Sequence, residues 1–437
     1  MMFDVEGNET TSGTSGFDSF ESVAARLETA AAAALSGRPT DVQSQSELFA
    51  DFRRATSSTA RKAAGTFFTS AQLSSRLLAT SPQSGAVLDP ACGMGDLLLS
   101  HAVRLKRSKS LDATLQLWDE QLLGRELETP LVRVARARLA LAAAAQHQYD
   151  NRRLARSSRS LDSIFPDLQQ GDGLQSGVDP ARARQILLNP PFTLVQAPQG
   201  CVWGVGRVSA AAVFVDHWLS LARPGSVISA ILPDVLRSGS RYAQWRARVE
   251  ARASISAVDV VGEFDAHTQI DVFVVHLTVR DFEINDVSGR PWFVRRAGAT
   301  LGSLFRVTVG PLVHYREPNL GTWHPYLDVS KAVPWGEVSD PRPFRRFRGR
   351  VIQPPFLAVR RTSSPHDRQR AITTLVTGTR PVAVENHLIV LEPFEHLLEV
   401  CTLGQAILAQ PRTTEWLNDR IRCRHLTIDS VREIPIE

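Results

Sequence analysis

The stretch "AVLDPACGMGDLLLSHAVRL" (Ala86–Leu105) joins a short apolar run to a glycine-containing turn and then to a helical pattern. The run "AVL" predicts a buried strand, and "GDLLLSHAVRL" predicts a helix. Gly93 and Gly95 would let the backbone of the turn approach a ligand closely, because glycine has no side chain and adopts positive φ at no steric cost. The stretch therefore predicts a strand–turn–helix unit of an α/β fold with a ligand beside the turn.

The alternation of strands and helices continues along the chain. The helical patterns are "PLVRVARARLALAAAA" and "AAVFVDHWLSLA". The strand patterns before, between and after them are "QLLGREL", "RQILLNPPF", "SVISAILP", "AVDVVG" and "DVFVVHLTV". This alternation predicts a mostly parallel sheet with helices on both faces. Past Phe282 the apolar runs, such as "FLAVRR" and "NHLIVLEP", are short and are broken by Pro, Gly and Arg. That change in texture predicts a smaller, more β-rich domain.

A length of 437 residues predicts two or three domains. Residues 1–60 hold nine acidic residues against four arginines, a net charge of −5, whereas the whole chain carries +5. Residues 1–20 are rich in Ser, Thr and Gly and are predicted to be disordered, and helices are predicted over Glu21–Leu35 and Ser46–Thr56. We therefore divide the chain into an acidic segment (1–60), an α/β domain (61–285) and a C-terminal domain (286–437).

Composition also limits the class of protein. No apolar run reaches the 18 residues of a membrane helix, and the N-terminus lacks the pattern of a signal peptide. The four cysteines lack the spacing of metal ligands. We expect a cytoplasmic protein without a metal site and without membrane contact.

Acidic residues lie next to three of the predicted strands. Asp89 follows "AVL", Glu126 follows "LLGR", and Asp172 lies in "GDGL" just before the next strand. In open α/β sheets the ligand lies beyond the carboxyl ends of the strands, where these carboxylates would meet. The spacing matches neither the dinucleotide fingerprint nor the P-loop. The three acids and the glycine turn together predict a cofactor that carries a nucleoside.

The next strand ends in an unusual way. In "ILLNPPFTL" (Ile186–Leu194) the apolar run stops at Asn189, which two prolines and Phe192 follow. A central strand has little use for consecutive prolines, because each one removes a donor from the ladder of hydrogen bonds. Asn189 to Phe192 are therefore predicted to form a rigid loop at the ligand-binding edge of the sheet.

In this order the motifs resemble those of S-adenosylmethionine-dependent N6-adenine DNA methyltransferases, in the group related to type I modification subunits. "GTFFTSAQL" (Gly65–Leu73) resembles the motif that precedes the core of these enzymes, and "VLDPACGMGDLL" resembles their cofactor loop. "LLGRELETPLVRVARARLAL" is similar to the ribose-binding segment, "GDGL" to the adenine-edge motif and "NPPF" to the catalytic motif. The resemblance covers roughly Lys62 to Arg280 and implies a Rossmann-like methyltransferase fold with a mixed, mostly parallel seven-stranded sheet.

The resemblance also implies roles for individual residues. The implied catalytic residues are Asn189, Pro190, Pro191 and Phe192, and the implied cofactor-binding residues are Gly65, Thr66, Phe67, Phe68, Thr69, Asp89, Pro90, Ala91, Gly93, Gly95, Glu126, Asp172 and Asn189. The Asn189 side-chain oxygen and the Pro190 carbonyl would each accept one N–H of the adenine amino group, so that its lone pair faces the methyl donor. Phe192 would stack on a base rotated out of the duplex. Two departures are Met94 in the glycine loop and a long interval between Asp89 and Glu126, which indicates an insertion around Ser108–Glu120.

The C-terminal domain is predicted to recognise double-stranded DNA. Between Asp340 and Arg370 nine arginines face two aspartates, a net charge of +7. Such a basic patch suits a phosphate backbone. The candidate DNA contacts are Arg345, Arg346, Arg348, Arg360 and Arg361. A genome rich in GC would also favour arginine, since the chain has 46 arginines and four lysines, and a solvated face or a partner surface is the competing interpretation.

The overall prediction is a site-specific DNA adenine methyltransferase of a restriction-modification or phage-defence system. Three alternatives stay open on the sequence. A methyltransferase for glutamine in release factors shares the Asn-Pro-Pro corner, because an amide nitrogen poses the same chemical problem. An RNA base methyltransferase is the second alternative. The third is a subunit of methyltransferase fold that acts only with a partner, such as a restriction or specificity subunit.

Overall fold

The computed structural model describes residues 14–40, 69–82, 85–147, 155–175, 179–265, 268–281, 292–293 and 298–436. The helix predicted over Ser46–Thr56 lies outside these residues. Among the described residues, no helix is long and apolar enough to cross a membrane. The helices are α1 (Thr14–Leu35), α2 (Ala71–Leu78), α3 (Asp96–Ala102), α4 (Leu111–Gln121), α5 (Thr129–Gln146), α6 (Ala210–Leu221), α7 (Asp234–Ser238), α8 (Ala243–Arg252), α9 (Leu301–Leu304), α10 (Leu398–Ala409), α11 (Pro411–Arg420) and α12 (Ile428–Arg432).

Residues 87–279 contain a sheet of seven strands in the order β3-β2-β1-β4-β7-β9-β8. Only β9 runs antiparallel to the other strands. This confirms the predicted mixed, mostly parallel sheet. The strands are β1 (Val87–Asp89), β2 (Leu122–Glu126), β3 (Leu168–Gln170), β4 (Gln185–Leu188), β7 (Val227–Pro233), β8 (Ala253–Asp265) and β9 (Thr268–Val279), and a separate hairpin consists of β5 (Leu194–Gln196) and β6 (Arg207–Ser209).

Helices cover both faces of the sheet because successive strand residues point to opposite sides. In β1, Val87 packs with the core under α1 to α5, whereas the next residue, Leu88, packs with the core under α6 and α8. Both side chains are almost completely buried. The predicted insertion before Glu126 contains helix α4, which is amphipathic and buries Leu111, Leu115 and Trp118.

In the described part of the N-terminal segment, the helix predicted over Glu21–Leu35 is present and starts earlier than predicted. Helix α1 begins at Thr14, inside the stretch predicted to be disordered, and it packs along α5. Ala24 and Ala31 are fully buried in that contact, and Arg133 of α5 donates to Glu28 of α1 at 2.8 Å. The small alanine side chains let the two helices approach closely, so α1 forms part of the α/β core. Residues 1–13 lie outside the described part of the chain.

The C-terminal region contains two further sheets. A five-stranded sheet has the order β10-β17-β14-β15-β12, and a three-stranded sheet has the order β13-β11-β16. This confirms the β-rich C-terminal region, although α10, α11 and α12 also pack on the larger sheet. The strands are β10 (Phe305–Val309), β11 (Thr322–Leu327), β12 (Glu337–Ser339), β13 (Phe344–Phe347), β14 (Phe356–Arg360), β15 (Thr373–Thr377), β16 (Ala383–Val384) and β17 (Leu388–Pro393).

The C-terminal region contacts the seven-stranded sheet at the edge where the parallel strands end. Asp234 follows β7 directly, and its Oδ2 atom accepts from the backbone N–H of Arg422 at 2.9 Å. The Arg422 side chain donates from Nε to Asp271 Oδ1 at 2.6 Å. His366 Nε2 lies 3.0 Å from Glu263 Oε1. These contacts fix the C-terminal region beside the carboxyl edge of the sheet.

Trp292 and Phe293 lie beyond the predicted boundary at residue 285. Trp292 is buried in the core of the seven-stranded sheet, where its ring lies 5.7 Å from that of Trp245. The guanidinium carbon of Arg420 lies 3.5 Å from the centroid of the Phe293 ring, so Phe293 faces the C-terminal helices. The core of the α/β domain therefore includes residues that follow the predicted boundary.

Candidate active site

A cleft with about 740 Å³ of space, open to solvent, lies at the carboxyl edge of the seven-stranded sheet. The ends of β1, β2 and β4 and the loop after β3 surround it, as the sequence predicted for a cofactor site. Its lining residues are Thr69, Asp89, Pro90, Ala91, Cys92, Gly93, Met94, Asp96, Leu97, Glu126, Leu127, Gly171, Asp172, Gly173, Asn189, Pro191 and Phe214.

The two glycines of the loop after β1 play different structural roles. Gly93 has φ +52°, and a Cβ placed on it would meet no atom within 4 Å, so its α-carbon faces open space in the cleft. Gly95 has φ +77° and is the N-cap of α3; a Cβ there would lie 3.0 Å from the Cβ of Ala135. Gly95 is therefore needed for close packing of α3 on α5, and it does not line the cleft.

Glu126 lies at the end of β2 with both carboxylate oxygens engaged by the backbone. Oε2 accepts from the N–H of Gly93 at 2.9 Å, and Oε1 accepts from the N–H of Glu128 at 3.0 Å. Burial raises the pKa of the Glu126 carboxyl, and these two N–H donors oppose that rise. The backbone thus fixes the carboxylate in the cleft, with oxygen lone pairs left for a ligand.

Asp89 is the most deeply buried acid of the cleft, with 2% of its surface exposed. Burial raises the pKa of its carboxyl from 3.8 to about 8, and the nearby acids Glu126 and Asp96 add to the rise, whereas the N–H of Ala91 opposes it. A buried carboxylate without a cation is costly, so it retains its proton near neutral pH. A positively charged group that entered the cleft would favour the ionised form.

Asn189, directly after β4, has its side-chain amide held in one orientation. Its Nδ2 donates to Thr69 Oγ1 at 2.7 Å, whereas its Oδ1 is buried and accepts no hydrogen bond from the described residues. A buried polar oxygen without a partner costs about 1–3 kcal/mol, and such atoms call for an explanation. A ligand that donates an N–H in the cleft would satisfy this oxygen.

The partner of Asn189 is itself held by a buried ion pair that the sequence motifs did not reveal. The N–H of Thr69 donates to Asp96 Oδ2 at 3.0 Å. Asp96 Oδ1 lies 2.8 Å from Arg138 Nη1, and both side chains are 7% exposed. Arg138 also donates to the Met94 carbonyl at 2.6 Å. A buried ion pair thus connects the glycine loop with the residue that orients Asn189.

The remaining predicted residues differ in their relation to the cleft. Asp172 lines it, and its Oδ1 accepts from the N–H of Leu174 at 2.9 Å. Gly173 packs so tightly on Pro90 that a Cβ would lie 1.8 Å from the Pro90 carbonyl oxygen. Pro190 and Phe192 lie beside the cleft and do not line it. Gly65, Thr66, Phe67 and Phe68 lie outside the described residues.

Phe192 lies under the edge of another aromatic ring. Its ring centroid is 5.5 Å from that of Phe264 in β8, at an interplanar angle of 89°. The neighbouring residue in β8, Glu263, contacts His366 of the C-terminal region. The Asn189–Phe192 segment and the C-terminal region therefore both contact the end of β8.

The five arginines predicted to contact DNA form no ion pair with a carboxylate in the part of the chain that the structure describes. Arg345 donates to the carbonyl of Glu317 at 2.9 Å and lies over the Tyr326 ring, whereas Arg346 lies over the exposed Trp323 ring at 5.1 Å. Arg348 is exposed. Arg360 and Arg361 donate to the backbone carbonyls of Ala332 and Asn386.

A second, polar cleft opens in the C-terminal region next to Arg345. It encloses about 1010 Å³ of space open to solvent, and His314, whose Nδ1 lies 2.7 Å from Arg345 Nη1, forms part of its wall. His387 Nδ1 lies 3.2 Å from Glu385 Oε1 within it. Its lining residues are His314, Tyr326, Asp328, Val329, Ser330, Arg360, Thr362, Glu385 and His387.

The seven-stranded sheet defines an α/β protein with a cleft at the carboxyl edge of its parallel strands. The family model for N-6 DNA methylases matches residues 47–258, a segment that contains the glycine loop, Glu126, Asp172 and Asn189. Residues 47–258 of this chain therefore match the N-6 DNA methylase family. A search of curated proteins found no match.

Several solved structures of restriction-modification enzymes are similar to the chain. The type IIL enzyme MmeI, solved with DNA, is 13% identical with a TM-score of 0.53, over 88% of this chain and 70% of that one. The type IIG endonuclease BpuSI is 12% identical with a TM-score of 0.45, over 95% and 66% of the two chains. The type I EcoKI M protein is 16% identical with a TM-score of 0.34, over 61% and 57%. The similarity to MmeI shows a shared fold.

Proposed function

We propose that the protein is a site-specific DNA adenine methyltransferase that transfers a methyl group from S-adenosylmethionine to N6 of an adenine rotated out of the duplex. The observation that supports this most directly is at Asn189, a residue that lines the cleft: Thr69 holds its Nδ2, and its buried Oδ1 lacks a partner among the described residues. An exocyclic amino group is the kind of donor that this oxygen fits.

The lining of the first cleft suits S-adenosylmethionine. Its ribose hydroxyls would donate to Glu126, and Asp172 would contact the adenine edge, each at the end of a different strand. The open space at Gly93 would accommodate the ligand without steric conflict. Asp89 would pair with the ammonium or sulfonium charge, which explains an acid buried without a cation among the described residues. When bound, the cofactor would supply an electrophilic methyl group.

Asn189 would act on the amino group of adenine. The nitrogen is a weak nucleophile because its lone pair is delocalised into the ring. An N–H donated to Asn189 Oδ1, with the other donated to the Pro190 carbonyl, would hold the lone pair towards the methyl donor. The prolines would keep both acceptors rigid, since a small displacement of reacting groups costs large factors in rate.

Glu126→Ala is expected to weaken binding of S-adenosylmethionine by about 1–3 kcal/mol, because the variant has no charged acceptor for the ribose hydroxyls. Isothermal titration calorimetry on the two proteins would measure this difference. Glu120→Ala, which removes an exposed acid at the end of α4, provides the matched control and should bind normally. Unchanged affinity in Glu126→Ala would remove Glu126 from the cofactor site.

Cofactor binding is expected to release a proton from Asp89. Since the pKa of this acid is about 8 without ligand, its proton must leave before the carboxylate can pair with a cation. Affinity should therefore rise with pH between about 6 and 8, by at most about tenfold per unit. In the ligand-free protein, the free energy of unfolding should fall as the pH rises. The raised pKa of Asp89 contributes stability that is fully present below about pH 4 and is lost as the pH rises to about 8.

Calorimetry in buffers of different ionisation enthalpy would count the released protons at pH 7. Asp89→Asn, which cannot ionise, should bind with no proton release and with a flatter pH dependence of affinity. Proton release that persists in Asp89→Asn would assign the proton to another group.

The C-terminal region would contact the DNA. It is fixed at the edge where Asn189 lies, it carries the arginines of the three-stranded sheet, and its polar cleft contains Arg360, Glu385 and His387. Arginine and carboxylate side chains distinguish base edges in the major groove. We infer that the exposed arginines hold phosphates and that the polar cleft reads bases. Its partners would be DNA and, in a complex, a restriction or specificity subunit.

Two variants separate these roles. Arg346→Gln with Arg348→Gln should weaken binding to all duplexes alike and reduce the salt slope by about 0.9 for each phosphate that is no longer neutralised. Arg360→Gln should relax preference at one base pair, by about 1–3 kcal/mol. Fluorescence anisotropy over a range of salt and a randomised methylation library would measure the two effects. Arg223→Gln, at the opposite edge of the sheet, is the control.

The proposed function itself is tested with purified protein, duplex DNA and S-adenosylmethionine carrying a labelled methyl group. We expect label in N6-methyladenine, and long-read sequencing of DNA from cells that express the protein should show one methylated sequence. Label that enters protein glutamine or RNA in preference to DNA would replace the proposal with one of the alternatives.

A further inference from the structure

A β-hairpin begins two residues after the catalytic motif and returns to the cofactor cleft. Strands β5 and β6 pair antiparallel from Leu194↔Ser209 to Gln196↔Arg207. Helix α6 follows directly, and its residue Phe214 lines the cofactor cleft. Both ends of the hairpin are therefore attached beside Asn189.

The loop of this hairpin exposes two branched apolar side chains. Val202 is 71% exposed and Val205 is 84% exposed. Trp203, between them, is only 3% exposed, and its Nε1 donates to Asp216 Oδ2 of α6 at 3.0 Å. The loop is thus anchored on α6 by Trp203, and the two valines are exposed on a fixed support.

The surroundings of the two valines are basic. Arg207 is the only charged residue between Leu194 and Ser209. Its Nη2 donates to the Leu194 carbonyl at 3.0 Å, and Arg241 donates to the Val205 carbonyl at 3.3 Å. Neither guanidinium forms an ion pair with a carboxylate of the described chain, and both are exposed. This apolar tip lies beside two cations that are not paired with a carboxylate in the described part of the chain. Such a surface is complementary to a polyanion whose interior is apolar.

We propose that Val202 and Val205 enter the base stack of the duplex at the target adenine, while Arg207 and Arg241 hold the flanking phosphates. Extrusion of a base leaves a gap in the stack and costs a few kcal/mol. Apolar wedges that enter between base steps occur in other DNA-binding proteins and offset the missing stacking energy. This inference rests on the proposed function, because it requires a duplex substrate and an extruded adenine at Asn189.

The double variant Val202→Ser with Val205→Ser tests the proposal on two duplexes that differ only opposite the target adenine. In one the adenine is paired with thymine; in the other it faces an abasic site, so extrusion breaks no base pair. We expect kcat/KM to fall about tenfold to a hundredfold on the paired duplex and by less than about threefold on the other. Cofactor affinity should not change.

Three controls make the result decisive. Val202→Ile with Val205→Ile keeps an apolar tip and should retain activity on the paired duplex. Val103→Ser removes a half-exposed valine at the end of α3 and should have no effect. With 2-aminopurine in place of the target adenine, the wild type should give the rise in fluorescence of an unstacked base, and the double serine variant should give less of it.

Other outcomes would overturn the inference. Full activity of the serine variant on the paired duplex, or an equal loss on both duplexes, would show that the valines do not assist extrusion. A changed oligomeric state with unchanged methylation would identify the tip as a protein interface. Wild-type protein that methylates neither duplex would instead contradict the proposed function itself.

Discussion

Asn189→Ala is expected to lower the rate of methyl transfer by at least about 10²–10³-fold, the loss that follows removal of one group that stabilises a transition state. The variant removes the buried Oδ1 atom that has no partner among the described residues, and with it the acceptor for the adenine amino group. The fold should survive, because within the described chain the Asn189 side chain makes a single hydrogen bond, to Thr69.

Single-turnover methylation with saturating cofactor and DNA would measure this rate. Asn189→Asp is the informative companion, since it keeps an acceptor oxygen but cannot donate to Thr69 Oγ1 in its ionised form. We expect it to retain more activity than Asn189→Ala, and its affinity for cofactor should stay close to that of the wild type. A rate for Asn189→Ala near that of the wild type would show that the catalytic corner is assigned to the wrong residues.

The parts of the fold that could be predicted are those governed by local pattern. The apolar run Ala86–Leu88 and the helical pattern after Gly95 were sufficient to predict β1 and α3. Asp89, Glu126 and Asn189 could be brought together before the structure because parallel strands present their carboxyl ends at one edge. The cleft at that edge contains all three residues.

Other features depend on contacts between residues far apart in the chain. Arg138 lies inside a helix, and nothing in its neighbours indicates that it pairs with Asp96, 42 residues earlier. Gly95 fitted the pattern of a ligand-binding glycine, yet its lack of a side chain is used for packing on Ala135. The exposure of Val202 and Val205 follows from the burial of Trp203, which tertiary structure alone decides.

The position of the C-terminal region also could not be predicted, because it depends on single charged pairs. Arg422 is one of 46 arginines, and its backbone and side chain bind Asp234 and Asp271 at the same edge of the sheet. Asp234 is almost completely buried and also accepts from Arg237 at 2.7 Å. These contacts hold the basic C-terminal region at the carboxyl edge of the sheet, where Asn189 also lies.

Arg138→Ala is expected to lower the free energy of unfolding by about 3–5 kcal/mol, because it leaves the carboxylate of Asp96 buried without its cation. The same change should slow methyl transfer, since Asp96 accepts from the N–H of Thr69 and Thr69 orients Asn189. Arg133→Ala on the same helix removes ion pairs to Glu21 and Glu28 that are more exposed, and should cost about 1 kcal/mol or less.

Urea denaturation followed by circular dichroism would measure the two free energies, and single-turnover rates would be taken below the unfolding transition. Arg138→Met with Asp96→Asn removes both charges and should recover part of the stability, because an uncompensated buried charge costs more than a missing pair. The rate should recover less, since an amide oxygen accepts from Thr69 more weakly than a carboxylate. Equal losses of stability in Arg138→Ala and Arg133→Ala would show that burial does not determine how much the Arg138–Asp96 ion pair contributes to stability. An unchanged rate of methyl transfer in Arg138→Ala would show that this ion pair does not affect the orientation of Asn189.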